Sequence, residues 1–203
     1  MLVFGGQSQK FNARLSRPAR GFSLVELMIT LGIAIILAAV AIPQYTNTIQ
    51  TQNVTAEIGQ LSNDMQFARA EALKEGQMVS MCISTNKTSC AGTNWNQGWI
   101  VYANPTSAAT FTAGSSILLK VGNAFTTTDS FQTLPAPATT VVNFNRDGFA
   151  VNISSTTGLI FTLHTASVNS AATRCLWLSS LGNMFIQKAG AASATGQGTN
   201  TCT

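Results

Sequence analysis

The chain has 203 residues, 45% of them hydrophobic and only 9% charged, with 11 basic residues against 7 acidic ones and a sequence pI near 9.1. So sparse a charge, over a Ser/Thr/Asn/Gly/Ala-rich body, suits an exported and externally exposed domain and argues against a cytosolic enzyme. The basic excess is also local: Lys10, Arg14, Arg17 and Arg20 supply it with no acid beside them, and the remaining seven basic residues balance all seven acids.

After this basic stretch comes GFSLVELMITLGIAIILAAVAIP, residues 21–43, in which Glu26 is the single charge. A helix from Phe22 to Ile42 is roughly 32 Å long at 1.5 Å per residue, enough to cross a bilayer core. The basic residues before it orient such a span by the positive-inside rule, with everything after Pro43 on the far side. A cleaved secretory signal fits poorly, because its small residue follows the apolar run, whereas Gly21 precedes this one. A plain signal-anchored protein is the remaining alternative. Glu26 is the anomaly, since a carboxylate within a membrane span costs a few kcal/mol, roughly, on insertion scales. It either snorkels to the interface or neutralises a positive charge such as a freed α-amino group.

From residue 44 to 75 the pattern stays helical but becomes amphipathic. Ile58, Leu61, Met65, Ala68 and Ala72 recur at helical spacing and form one apolar stripe. Gly76 is a natural stop, with Lys74 in the last turn. One helix from Phe22 to Glu75 is the preferred reading, and two helices broken at Pro43 the alternative. Eight strand-like runs follow: residues 77–84, 98–104, 116–121, 141–145, 149–153, 159–164, 175–179 and 184–188. Arg146-Asp147-Gly148 between two of them carries the Asp-Gly hairpin signal. The Thr/Ser/Ala/Pro stretch 126–140 reads as a loop with little core, and residues 189–203 as a low-complexity tail unless Cys202 ties them down. The 160 residues after Pro43 suit a single domain with one or two antiparallel sheets.

The combination of Gly21, Phe22, Glu26, an apolar run and Pro43 resembles the class III signal of type IV prepilins. That resemblance implies cleavage between Gly21 and Phe22 by a prepilin peptidase, N-methylation of Phe22, and an assembly role for Glu26 at the fifth mature position. Pro43 falls at the twenty-second mature position, where the family carries a helix-kinking proline. A glycine eight residues earlier, common in major pilins, is replaced by Ile35, with Gly32 three residues before it. A narrower resemblance, to the GspH/FimT (FimU-like) group of minor pilins and pseudopilins, rests on Phe67-Ala68-Arg69-Ala70-Glu71-Ala72 with Gly76. It rests also on Trp95 with Gly98-Trp99-Ile100-Val101, and on Phe144-Asn145-Arg146-Asp147-Gly148.

These resemblances imply an α+β, type IV pilin-like fold: a long N-terminal helix, membrane-spanning in its first half, packed on an antiparallel β-sheet domain. The expected organisation is a leader at 1–21, a transmembrane and assembly helix at 22–43, its amphipathic continuation at 44–76, and a β-rich periplasmic domain at 77–203. The expected function is a structural and priming subunit of a type IV pilus or a type II secretion pseudopilus. Its partners would be the prepilin peptidase, other minor and major pilins or pseudopilins, and the bacterial inner membrane, crossed once.

Four cysteines in an exported domain suggest two disulfides, and three pairings are open. Cys82–Cys90 with Cys175–Cys202 is favoured, since the first would staple a strand to its own loop. The second would close a loop over the tail, a common device in pilins. Zinc is the weaker alternative, there being no Cys-x-x-Cys pair and one histidine, His164, which reads as structural. No Gly-x-Ser-x-Gly elbow or Ser–His–Asp grouping is evident. Asp129 and Asp147 are explained by turn chemistry, and Trp95, Trp99 and Trp177 read as core or interface residues. The chain therefore reads as a non-enzyme without metal or cofactor. A DNA-binding minor pilin is the alternative function. The family resemblance places its Gly-Arg-x-Arg motif where this chain has Gly182-Asn183-Met184-Phe185, and only Lys188 and Arg174 remain nearby, a weak phosphate footprint.

Overall fold

A computed structural model of the chain describes residues 21–104, 111–134, 139–167, 169–190 and Cys202, leaving aside the side chain of Pro43. The leader before Gly21 and most of the tail expected to be tied down lie outside the described residues. The chain divides into two compact units, Met1–Pro43 and Gln44–Thr203.

A single helix, α1 (Leu24–Glu75), contributes to both units. In the first unit it begins two residues later than expected, with Leu27 N donating to Ser23 O at 3.1 Å. In the second unit Val54, Ile58, Leu61, Met65, Ala68 and Ala72 are fully buried, which is the expected stripe extended by one turn. The helix ends at Gly76, whose φ of +64° is the left-handed conformation that terminates helices. Gly76 N still reaches Ala72 O at 3.0 Å, and Lys74 pairs with Glu71 at 3.2 Å and Glu75 at 3.3 Å.

Nine strands follow among the described residues: β1 (Met78–Ile83), β2 (Trp99–Asn104), β3 (Ile117–Gly122), β4 (Ser130–Leu134), β5 (Val141–Phe144), β6 (Ala150–Val151), β7 (Leu159–His164), β8 (Arg174–Leu178) and β9 (Met184–Lys188). They form two antiparallel sheets, ordered β3-β2-β1-β5-β6 and β4-β7-β8-β9. The Asp147-Gly148 turn joins β5 to β6, pairing Phe144 with Ala150. Asn145 Oδ1 accepts from the backbone N–H of Asp147 at 3.0 Å and Phe149 at 2.8 Å, and Gly148 takes φ +77°.

The expectation of a loop over residues 126–140 is overturned by β4, which lies inside it. Phe131 and Thr133 point inward while Ser130 and Gln132 face solvent. This is the two-residue period of a half-buried strand. Ser, Gln and Thr dilute the apolar signal, and a single aromatic carries the burial.

The helix stripe packs against the inner faces of both sheets in one core. Val79, Met81, Trp99, Val101 and Phe144 come from the first sheet, and Phe131, Phe161, Leu163 and Leu176 from the second. Each sheet also has a small apolar cluster on its opposite face: Cys82, Ile100 and Tyr102 on the first, Ile160, Cys175, Trp177 and Cys202 on the second. Burial on both faces explains why β1, β2, β7 and β8 read as near-continuous apolar runs. One disulfide sits in each outer cluster: Cys82 is bonded to Cys90 and Cys175 to Cys202.

Candidate assembly surface

Phe22 and the large apolar side chains of α1 from Leu24 to Ile42 are all at least 54% exposed. Exposed patches on soluble monomers seldom exceed a few hundred Å². A bare apolar helix of this length requires lipid or other helices around it, and by length and composition it is able to cross a membrane. Glu26 lies in the first turn of α1, where the N-terminal partial positive charge of the helix favours an anion. Gly21 and Phe22 precede the helix outside any helix or strand, with Phe22 79% exposed. Pro43 is in α1, twenty-one residues beyond Phe22.

The second unit holds two features that sequence reasoning missed. The first is Asp64, on the buried side of α1 and only 3% exposed. Trp99 Nε1 donates to its Oδ2 at 2.8 Å, and Lys120 Nζ reaches its Oδ1 at 2.6 Å. The Lys120 ammonium also stands 5.2 Å above the Phe67 ring. Helix, β2 and β3 are thus pinned at one carboxylate. Gly122 belongs to the same joint, because a Cβ there would come within 2.1 Å of the Trp99 indole nitrogen.

The second is Arg69, whose Nε donates to Gly148 O at 2.9 Å and whose Nη2 donates to Leu181 O at 3.1 Å. It ties the end of α1 to the β5–β6 and β8–β9 turns. Sequence offered one cue, in that the Arg69 segment, Gly148 and Gly182 all sit among the quoted family motifs or beside them. Their meeting in space was not readable.

The remaining sites fall out more simply. Trp95, Trp99 and Trp177 are all buried, and Trp95 Nε1 donates to Thr139 O at 2.8 Å. His164 is partly buried, which lowers its pKa from 6.5, and its Nδ1 lies 3.5 Å from Thr173 Oγ1. Asp147 is an exposed turn residue, but Asp129 is buried, so turn chemistry alone does not account for it. Arg174 is also buried, spending Nη1 on the carbonyls of Ala171 and Thr173. Of the two cations near the 182–185 turn, Lys188 alone is therefore exposed to solvent. Among the described residues no three His, Cys, Asp or Glu side chains gather as a metal site.

A family model described as "Type II transport protein GspH" matches residues 57–182, well over half of the chain. A second, "Prokaryotic N-terminal methylation motif", matches residues 16–42. A type IV major fimbrial protein FimA of Dichelobacter nodosus is 42% identical over 77 residues, 36% of this chain and 46% of that protein. A fimbrial protein of Pseudomonas aeruginosa is 40% identical over 60 residues, 30% of this chain and 38% of that protein. The chain spans about half the length, or less, of these curated relatives. In fold it is similar to the crystal structure of the type IV minor pilin FimU of Pseudomonas aeruginosa. That match has a TM-score of 0.50 and 19% identity, covering 67% of this chain and 89% of that one.

Proposed function

Because the chain belongs to the GspH family and its N-terminal region matches the methylation motif, we propose that it is the membrane-inserted precursor of a minor pilin or pseudopilin. In this reading it is a structural and priming subunit of a type IV pilus or type II secretion pseudopilus. The observation that carries it is the exposed apolar helix with Glu26 as its one charge. A prepilin peptidase cuts between Gly21 and Phe22 and methylates Phe22. Residues 22–43 anchor the product in the inner membrane, with residues 44–76 continuing the helix and residues 77–203 forming the periplasmic β domain. The anchor then becomes the packing surface against other pilin helices. The function is assembly, driven by burial of apolar surface, and no bond of a substrate is made or broken.

Glu26 supplies the register. A carboxylate in an apolar helix bundle is stabilised only where it meets a positive charge. The new α-amine on a neighbouring subunit's Phe22 is such a charge, present only after cleavage, so register and processing are coupled. The test is incorporation into purified filaments. Glu26→Ala and Glu26→Gln both lose the charge and should both lower incorporation at least about tenfold, the equivalent of about 1.4 kcal/mol. Unchanged incorporation with either variant would remove Glu26 from the mechanism.

A further inference from the structure

The two sheets end in four edge strands, β3, β6, β4 and β9, and the first three are protected. Ile117 and Leu118 are exposed on β3, but a register shift in its pairing with β2 bulges the strand, and its Lys120 is turned in to Asp64. β6 is two residues long, and its Ala150 N–H already donates to Ser180 O at 2.9 Å. β4 is covered from the side, where Asn94 Nδ2 donates to Phe131 O at 3.2 Å. β9 has none of these devices. Ser179 N–H donates to Asn183 O, and Ala189 N–H to Thr173 O. By the alternation of an antiparallel pair, Met184, Ile186 and Lys188 therefore turn their N–H and C=O groups away from β8. No strand among the described residues pairs with that edge. Phe185 is 41% and Ile186 44% exposed, and Lys188 at the far end is the one charge on the strand.

The start of this edge adjoins a cation without a counter-charge. Arg69 lines a pocket of about 290 Å³ together with Gln66 and residues 182–185, which include the first two of β9. It spends Nε and one Nη2 N–H on the carbonyls of Gly148 and Leu181, and forms no ion pair among the described residues. Asp147, on the same turn as Gly148, is exposed and is not paired with it. A guanidinium has five N–H donors, so three remain, enough to hold a carboxylate by both oxygens.

We propose that β9 and the Arg69 pocket together form a docking site for an extended segment of a partner protein in which one Glu or Asp stands among apolar residues. The segment adds a fifth strand to the second sheet, its main chain meeting the open groups of Met184, Ile186 and Lys188. Its apolar side chains cover Phe185 and Ile186, and its carboxylate, over Met184, takes the free N–H groups of Arg69. Charge selects this occupant. A second copy of β9 carries no acid, so self-pairing leaves Arg69 without a counter-charge. A nucleic-acid strand brings phosphates but leaves the apolar edge uncovered. The site lies in the second unit and is independent of the role of Glu26.

The test uses the full chain in detergent micelles and fluorescein-labelled peptides of about ten residues, alternating Val and Thr, with one Glu walked through the sequence. Binding is read by fluorescence anisotropy. At least one Glu position should bind, and replacing that Glu by Gln should weaken binding about tenfold or more, the loss of one charge-assisted pair. Arg69→Gln should bind the Glu and Gln peptides equally, a non-additivity that a merely structural role of Arg69 does not produce. Ile186→Pro removes only an outward-facing N–H, so the sheet should stay folded by thermal unfolding while peptide binding is lost. Equal binding of the Glu and Gln peptides by wild type, or unchanged binding by Ile186→Pro, would overturn the site. So would the failure of every peptide in the set to bind. Two further results would overturn it by naming another occupant. Self-association of the chain that Ile186→Pro abolishes would put a second copy on the edge, and displacement of the peptide by a short DNA duplex at physiological salt would put nucleic acid there.

Discussion

At the scale of single residues, the informative positions of the second unit are its buried charges. Asp64 is an acid on the packed side of a helix, three residues after Leu61 and four before Ala68, both fully buried. It is tolerated because Trp99 and Lys120 satisfy both of its oxygens. Asp64→Ala orphans a buried indole N–H and strips Lys120 of its counter-charge, and should destabilise by about 3–5 kcal/mol. Asp64→Asn keeps an acceptor for Trp99, and Lys120, 43% exposed at its side chain, falls back on water. That variant should cost only about 1–2 kcal/mol. Chemical denaturation of both variants checks the ordering, and equal losses would mean that the ion pair, not the indole bond, holds the joint. Gly122→Ala strikes the same place sterically, forcing Trp99 to move, with an expected loss of about 1–3 kcal/mol. None of this was legible in the sequence. Helical periodicity marks Asp64 as lying on the inner side, but its partners are 35 and 56 residues away, and no local rule supplies them.

At the scale of elements, legibility followed the strength of the local period. The stripe from Ile58 to Ala72, the stop at Gly76 and the Asp147-Gly148 turn were readable because each rests on contacts within a few residues. Strand β4 was not, because its burial depends on Phe131 meeting a core assembled from distant chain. The partition into two sheets was equally hidden: runs buried on both faces lose the alternation that tells one face from the other. The two disulfides act at this scale, each in an outer cluster away from the helix. They close loops of 8 and 27 residues. On chain-entropy grounds, opening the shorter should cost about 2.5 kcal/mol and the longer about 3.5 kcal/mol. Paired substitutions, Cys82→Ser with Cys90→Ser and Cys175→Ser with Cys202→Ser, measure this by denaturation. The reverse order would show that the outer cluster around Cys82, Ile100 and Tyr102 depends on its disulfide more than the cluster around Trp177 does.

At the scale of the whole molecule, charge and apolar surface are separated along the chain. Residues before Phe22 carry the entire net charge of +4, and the remainder balances at seven basic and seven acidic side chains. Cleavage at Gly21 would therefore convert a basic precursor into a product without net side-chain charge, in a single step. In the proposed precursor the basic leader would hold the N-terminus on the cytoplasmic face before cleavage, by the positive-inside rule. After it, that electrostatic hold would be gone, and Glu26 would be the one charged side chain left in the apolar segment. On the proposed reading, the energetic barrier to drawing the helix out of lipid would be lowered at the moment when the new amine becomes available to a neighbour's Glu26. The prediction is a paired change. Co-expression with a prepilin peptidase should remove residues 1–21, seen by mass spectrometry, and shift the isoelectric point from near 9.1 towards neutrality. A leader in which Lys10, Arg14, Arg17 and Arg20 are all replaced by Gln separates the two roles. It keeps Gly21 and Phe22 but loses the orienting charge, so it should insert in mixed orientation and yield less cleaved product. Full cleavage of that variant would show that the four cations do not orient the span, and would leave Gly21-Phe22 and the apolar helix as the only determinants of processing.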